Sequence, residues 1–158
     1  MTGWESIEMS WMFRGASRRP LQFLLFLLFI QLSWADSPAT QHYQAGLAYE
    51  RLGRLEEAYT ELQLGFALDQ NDTLLATALG IVASRLGRLE VAQRSLERSL
   101  SLDSTSVASY YQLALLYEKK KLKERALDAW RRFLTLSQDE PLKTIAQKHI
   151  RFLEAPAP

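Results

Sequence analysis

The chain has 158 residues, enough for one domain with a sizeable core, and 47% hydrophobic with 23% charged residues is ordinary for a globular protein. It contains no cysteine, which excludes disulfides, thiolate catalysis, cysteine-based zinc sites and a lipidated N-terminal cysteine. Six arginines and ten acids in residues 36–106 stand against ten bases and six acids in residues 107–158, so the chain is bipolar rather than basic, and no nucleic-acid partner is expected.

At the N-terminus, Arg14, Arg18 and Arg19 precede an apolar run over residues 21–30, and Gln31-Leu32-Ser33-Trp34-Ala35 follows. Charge, apolar stretch and small residues at Ser33 and Ala35 are the order of a secretory signal peptide over residues 1–35, cleaved after Ala35. A retained signal anchor is the alternative, but residues 21–35 supply only 15 positions, against about 20 for a spanning helix. Either way the arginines stay on the cytoplasmic side, so residues 36–158 are expected in the periplasm or outside the cell. Any membrane attachment would come only from an uncleaved signal. Glu5 and Glu8 suit a positive leader poorly, and a start at Met9 or Met12 is expected.

The hexapeptide Arg51-Leu52-Gly53-Arg54-Leu55-Glu56 returns 34 residues later as Arg85-Leu86-Gly87-Arg88-Leu89-Glu90. A fixed period of that size marks a stacked helical repeat. One leucine closes an amphipathic helix, the glycine reverses the chain, and the next leucine opens a second helix. Glycine suits the reversal because it adopts a left-handed backbone without a side-chain clash. Register on the hexapeptide divides the chain into repeats 39–72, 73–106 and 107–140. In the third the motif becomes Lys119-Lys120-Lys121-Leu122-Lys123-Glu124, and an irregular turn is expected, since Lys121 in a left-handed conformation costs about 1 kcal/mol. Gly46, Gly80 and Ala114 share a small position in each first helix. Ala58, Ala92 and Ala126 share another in each second helix, with Leu62, Leu96 and Trp130 one turn later on the same face.

This pattern resembles the tetratricopeptide repeat family over residues 39–140. The family sets a small residue at its eighth position, an aromatic or leucine at its eleventh and alanine at its twentieth. Here these are Gly46, Tyr49 and Ala58, then Gly80, Ala83 and Ala92, then Ala114, Tyr117 and Ala126. Ala83 departs from the aromatic, Lys121 from the turn glycine, and Gln70, Ser104 and Gln138 from the usual proline. The resemblance implies an all-α, right-handed superhelical solenoid of three helix–turn–helix repeats, with peptide or protein binding in a concave groove lined by the first helices.

After the third repeat, Pro141 opens a capping helix over residues 141–153. Leu142, Ile145, Ala146, His149, Ile150 and Leu153 recur at helical spacing, while Lys143, Gln147, Lys148 and Arg151 point away. One apolar and one polar face is what the exposed end of a repeat stack needs. Residues 154–158 are expected to be a disordered tail.

Residues suited to chemistry are few. His42 and His149 are the only histidines, far apart, and both fall on packing positions. Gly53 and Gly87 belong to helix turns and not to a phosphate loop. No Ser-His-acid set, carboxylate pair or metal-ligand cluster follows from spacing, so no catalytic residue, metal or cofactor is expected. Asn71-Asp72-Thr73 matches a glycosylation acceptor, and helix capping accounts for the same residues. Glu90/Arg94, Lys120/Glu124 and Asp128/Arg132 are expected surface pairs worth roughly 0.3 kcal/mol each.

The resemblance assigns the groove to Tyr43, Leu47, Glu50 and Arg51 in the first repeat and to Thr77, Ile81, Ser84 and Arg85 in the second. In the third it assigns Tyr111, Gln112, Leu115, Glu118 and Lys119. Leu47, Ile81 and Leu115 then form an apolar ladder between the aromatic walls Tyr43 and Tyr111, with Arg51, Arg85 and Lys119 as a cationic rim. That surface fits an extended or helical partner segment. Family members that grip a C-terminal carboxylate use Lys, Asn and Arg where this chain has Tyr43, Leu47, Ala78, Ala108 and Gln112, so that activity is not expected. The expected function is a non-catalytic scaffold or adaptor of the cell envelope. Two alternatives stay open: an accessory domain of an envelope enzyme complex, and head-to-tail self-association of the oppositely charged halves, which a salt-insensitive monomer in sedimentation excludes. Concave and outer binding faces also both remain open.

Overall fold

The computed structural model describes residues 37–155. The expected signal segment, residues 1–35, lies outside them, as does the end of the expected tail. Among the described residues there are seven α-helices and no strand: α1 (Pro38–Arg51), α2 (Leu55–Leu68), α3 (Thr73–Arg85), α4 (Leu89–Leu102), α5 (Val107–Lys119), α6 (Lys123–Leu136) and α7 (Glu140–Glu154).

Side-chain caps start α1, α3 and α7. Ser37 Oγ accepts the Thr40 N–H at 3.1 Å, with Pro38 in the first turn of α1. Asp72 accepts the Leu74 and Leu75 N–H groups at 2.7 and 3.1 Å and so caps α3. The cap is thus Asp72, while Asn71 accepts a bond from Arg98 at 2.9 Å. Asp139 caps α7 through the Leu142 N–H, starting the helix at Glu140, one residue before the expected Pro141.

Tight hairpin turns join α1 to α2, α3 to α4 and α5 to α6. Gly53 and Gly87 have φ of 72° and 76°, and Lys121 takes 59°. The residue after each returns its N–H to a carbonyl in the preceding helix: Arg54 to Tyr49 at 2.9 Å, Arg88 to Ala83 at 2.8 Å, Leu122 to Tyr117 at 2.8 Å. The third turn is therefore as regular as the other two, contrary to expectation. The same hydrogen bonds and the same hairpin packing hold Lys121 left-handed despite its Cβ.

Each hairpin packs internally, each second helix packs on the next first helix, and α7 packs on α6, which makes a solenoid of three hairpins with a closing helix. The small register positions set the helix separation: a Cβ on Gly46 would lie 2.6 Å from Leu62 Cγ, and one on Gly80 2.6 Å from Leu96 Cγ. Ala58, Ala92, Ala126, Leu62, Leu96 and Trp130 are fully buried behind them. Leu75, Leu79 and Val82 of α3 and Ser109, Leu113 and Leu116 of α5 occupy the stripe turned toward the preceding hairpin, and all are buried. In α1 that register holds Gln41, Ala45 and Ala48, two of them exposed, as suits the open end of a stack. In α7 it holds Leu142, Ala146, His149 and Leu153, of which only Ala146 is fully buried. Ile145 lies off this stripe and is 38% exposed, so the buried face of the cap is narrower than expected.

None of the three expected four-apart ion pairs forms among the described residues. Charges instead bridge neighbouring repeats: Arg85 to Glu50 at 2.6 Å, Arg88 to Glu56 at 2.7 Å and Lys120 to Glu90 at 3.6 Å. These exposed pairs each contribute about 0–1 kcal/mol.

Candidate functional site

Leu47, Ile81 and Leu115 occupy one position in α1, α3 and α5, and each is half-buried. Leu47 and Leu115 pack against the core while keeping part of their surface in solvent. Tyr43, one turn before Leu47, is also half-buried. Burial pushes its hydroxyl above the usual tyrosine range, and the carboxylates of Asp72 and Glu50 push it further. It therefore stays protonated at physiological pH and can donate to a carbonyl.

Three of the assigned groove residues have internal duties. Thr77 is 9% exposed, and its hydroxyl lies 2.8 Å from Ser99 Oγ and 3.1 Å from Ser109 Oγ, with those two 2.7 Å apart. It also donates to the Thr73 carbonyl at 2.8 Å. Thr77 is thus removed from the groove surface, because three hydroxyls from α3, α4 and α5 must satisfy one another once buried. Glu118 accepts the Trp130 indole N–H and sits 2.9 Å from His149 Nδ1, while the His149 ring stacks on Trp130 at 4.8 Å. That carboxylate fastens α7 to the third hairpin. Tyr111 meets Trp130 edge-on and Phe133 at a tilt, both at 5.3 Å between ring centres, so much of its ring is committed to packing.

On the rim, Arg85 is paired with Glu50. Arg51 and Lys119 are exposed and have no hydrogen bond or ion pair among the described residues. The rim continues further than the sequence suggested. Counted from its cap at Asp139, α7 carries Phe152 at the register position of Arg51, Arg85 and Lys119. Phe152 is 77% exposed and, with Glu118, Lys148 and His149, lines a crevice of about 270 Å³. The one-residue shift of the Asp139 cap relative to Asp72 and Ser106 is the signal that locates it.

Among the described residues no three His, Asp or Glu side chains converge on a metal-sized site. No described helix is long and apolar enough to cross a membrane.

Residues 42–72 and 107–140 match the family model described as tetratricopeptide repeat. No curated protein matches the chain. Among solved structures it is similar to the first TPR of Spaghetti (RPAP3) bound to HSP90 peptide SRMEEVD, at 23% identity over 75% of this chain and 92% of that one, with a TM-score of 0.68. It is similar to the Yersinia enterocolitica type III secretion chaperone SycD in complex with a peptide of the translocator YopD. There the identity is 18% over 76% and 95% of the two chains, with a TM-score of 0.70. The Arabidopsis OM64 TPR domain shares 16% identity over 73% of this chain and 93% of its own, with a TM-score of 0.68. The 34-residue register, the glycine turns, the small-residue contacts at Gly46 and Gly80 and the two matched segments all agree, and the fold is that of tetratricopeptide repeats.

Proposed function

We propose that the chain is a protein-interaction scaffold of the cell envelope whose concave face receives an extended or helical segment of another polypeptide. The observation that carries this reading is the ladder of Leu47, Ile81 and Leu115, repeated at one position in successive first helices and left partly in solvent. A side chain held partly exposed at three aligned sites gains free energy when a partner's apolar anchors cover it. Tyr43 offers a neutral donor at one end, and Phe152 with Lys148 offers an aromatic and a cation at the other. Arg51 and Lys119, unpaired among the described residues, set orientation and on-rate more than affinity. The RPAP3 and SycD structures, on the same fold, each hold a peptide, which supports peptide binding by this chain. The arginine, apolar and small-residue order of residues 14–35 supports export. Activity on this reading consists of holding a partner, with no bond made or broken.

The test is photo-crosslinking in the native host from a reactive amino acid at position 81, compared with one at Thr60 on an exposed face of α2. A discrete adduct from position 81, lost when Leu115→Glu is added with helical content unchanged, is the expected result. Equal capture with Leu115→Glu present moves the site off the concave face.

A further inference from the structure

The concave groove differs chemically between its two edges. On the side where the first helices start, the register positions nearest the caps are Thr40, Leu74, Ala108 and, counted from Asp139, Pro141. The next turn adds Tyr43, Tyr111 and Ile145. No register position in this half carries a charge. Leu74 is 61% exposed and Ile145 is exposed as well, so the half is apolar besides being neutral. The acid nearest to it is Asp72, whose charge is felt by the Tyr43 hydroxyl.

The side where these helices end is cationic. In α7, Lys148 takes the register of Leu115 and Arg151 that of Glu118, and Lys148 lines one crevice with Glu118. Arg51, Arg85, Lys119, Lys148 and Arg151 stand against Glu50 and Glu118, an excess of +3. Both carboxylates are engaged within the chain, Glu50 by Arg85 and Glu118 by Trp130 and His149. The hairpin turns beyond do not restore the balance. Glu56, Glu57 and Glu90 are bridged to Arg88, Arg54 and Lys120, and Lys121 with Lys123 outnumbers Glu124. Arg151 donates to the Gln147 carbonyl at 3.3 Å, and Lys148 makes no ion pair among the described residues. Bases in a last helical turn also answer the helix dipole. Lys148 lies a turn earlier, however, and the excess faces a partner all the same.

We propose that the partner is an amphipathic α-helix with acidic residues along one flank of its apolar stripe and uncharged residues along the other. The proposal rests on the concave groove being the binding face. From Thr40 to Arg51 the groove is about 16 Å wide at 1.5 Å per residue, and a helix with its side chains is about 10–12 Å across. A helix laid across α1, α3, α5 and α7 therefore covers the ladder with its apolar stripe and reaches both edges with its flanks. Its acids fall over Arg51, Lys119, Lys148 and Arg151, and its neutral flank over Leu74 and Ile145. Turned end for end, the same helix sets carboxylates on the apolar edge beside Asp72 and leaves the bases uncovered, so charge fixes its direction. Three intervals between first helices at about 9 Å each call for about 18 residues.

The experiment titrates the chain with three synthetic peptides of about 18 residues. The first carries a leucine stripe with Glu along one flank and Gln along the other. The second has Lys in place of Glu, and the third is the first with a central proline, which breaks its helix. Saturable shifts of the Leu47, Ile81 and Leu115 methyl resonances are expected with the first peptide, and about tenfold weaker binding by each of the others. Its on-rate should fall as salt is raised. Lys119 and Lys148 are both exposed. In the double variant Lys119→Glu with Lys148→Glu the order reverses, the Glu peptide losing about tenfold and the Lys peptide gaining about tenfold. A misfolded variant cannot produce that exchange, and the three peptides on the unaltered chain carry the test without it. Equal binding of the Glu and Lys peptides at those methyl groups keeps the groove and overturns the acidic partner. Undiminished binding of the proline copy overturns the helical form. Absence of shifts at all three methyl groups overturns the groove reading together with this one.

Discussion

Replacing Gly80 by alanine sets two effects of known sign against each other. Alanine in a helix interior is favoured over glycine by about 1 kcal/mol. The added Cβ, however, lies 2.6 Å from Leu96 Cγ and 2.8 Å from Leu96 Cδ2, whereas carbon atoms rest at about 3.5–4.0 Å. Leu96 must therefore retreat by about an ångström, and it has no solvent to move into, being fully buried behind Ala92. The contact also falls on the branch point of the leucine rather than on a flexible tip. Overpacking of that kind costs about 1–3 kcal/mol, so the contact outweighs the propensity gain and a net loss of about 1 kcal/mol is expected. For a domain of this size that lowers Tm by about 4 °C. Gly46→Ala repeats the experiment in the first hairpin, where the distances to Leu62 are again 2.6 and 2.8 Å. Urea and thermal unfolding followed by circular dichroism give both values. Equal or greater stability of either variant, or losses that differ by more than about 1 kcal/mol, refutes the claim that a close helix approach fixes these glycines.

Lys121→Gly relieves the left-handed lysine at φ 59° and is expected to raise the urea midpoint, by about 0.5–1 kcal/mol in stability at an unchanged slope. A lower midpoint would show that the lysine side chain contributes more than its backbone costs. The Tyr117 hydroxyl is pushed up to about 12, chiefly by burial and then by its hydrogen bond to Glu97. Its neutral form is thus favoured in the folded chain. That stability is fully present below the ordinary tyrosine value of about 10 and is lost as pH rises through 12. An ultraviolet titration should show Tyr117 ionising well after the exposed tyrosines in the folded chain, and the lag should shrink but persist in Glu97→Ala, because burial remains.

The residues that spacing identified and the residues that the fold withdrew differ in one respect. Gly46 and Gly80 were readable because a small residue recurring every 34 positions means a backbone approach wherever it occurs. Leu47, Ile81 and Leu115 were readable for the same reason, as one helix position repeated. Thr77 was misread because the hydroxyls that bury it come from 22 and 32 residues away. Glu118 looked like groove surface because its partners Trp130 and His149 lie 12 and 31 residues on. Phe152 was missed because a one-residue shift at Asp139 carries the register of α7 out of phase with the repeats.

By itself the sequence determined the helices, the two glycine turns and the stacking, since these follow from backbone geometry and from apolar spacing within a single period. Only the tertiary structure decided which polar groups are left for a partner. A hydroxyl, carboxylate or guanidinium is spent or free according to what the neighbouring repeat holds out to it. That depends on side-chain reach across a helix junction, as the pairing of Arg98 with Gln70 and Asn71 makes plain.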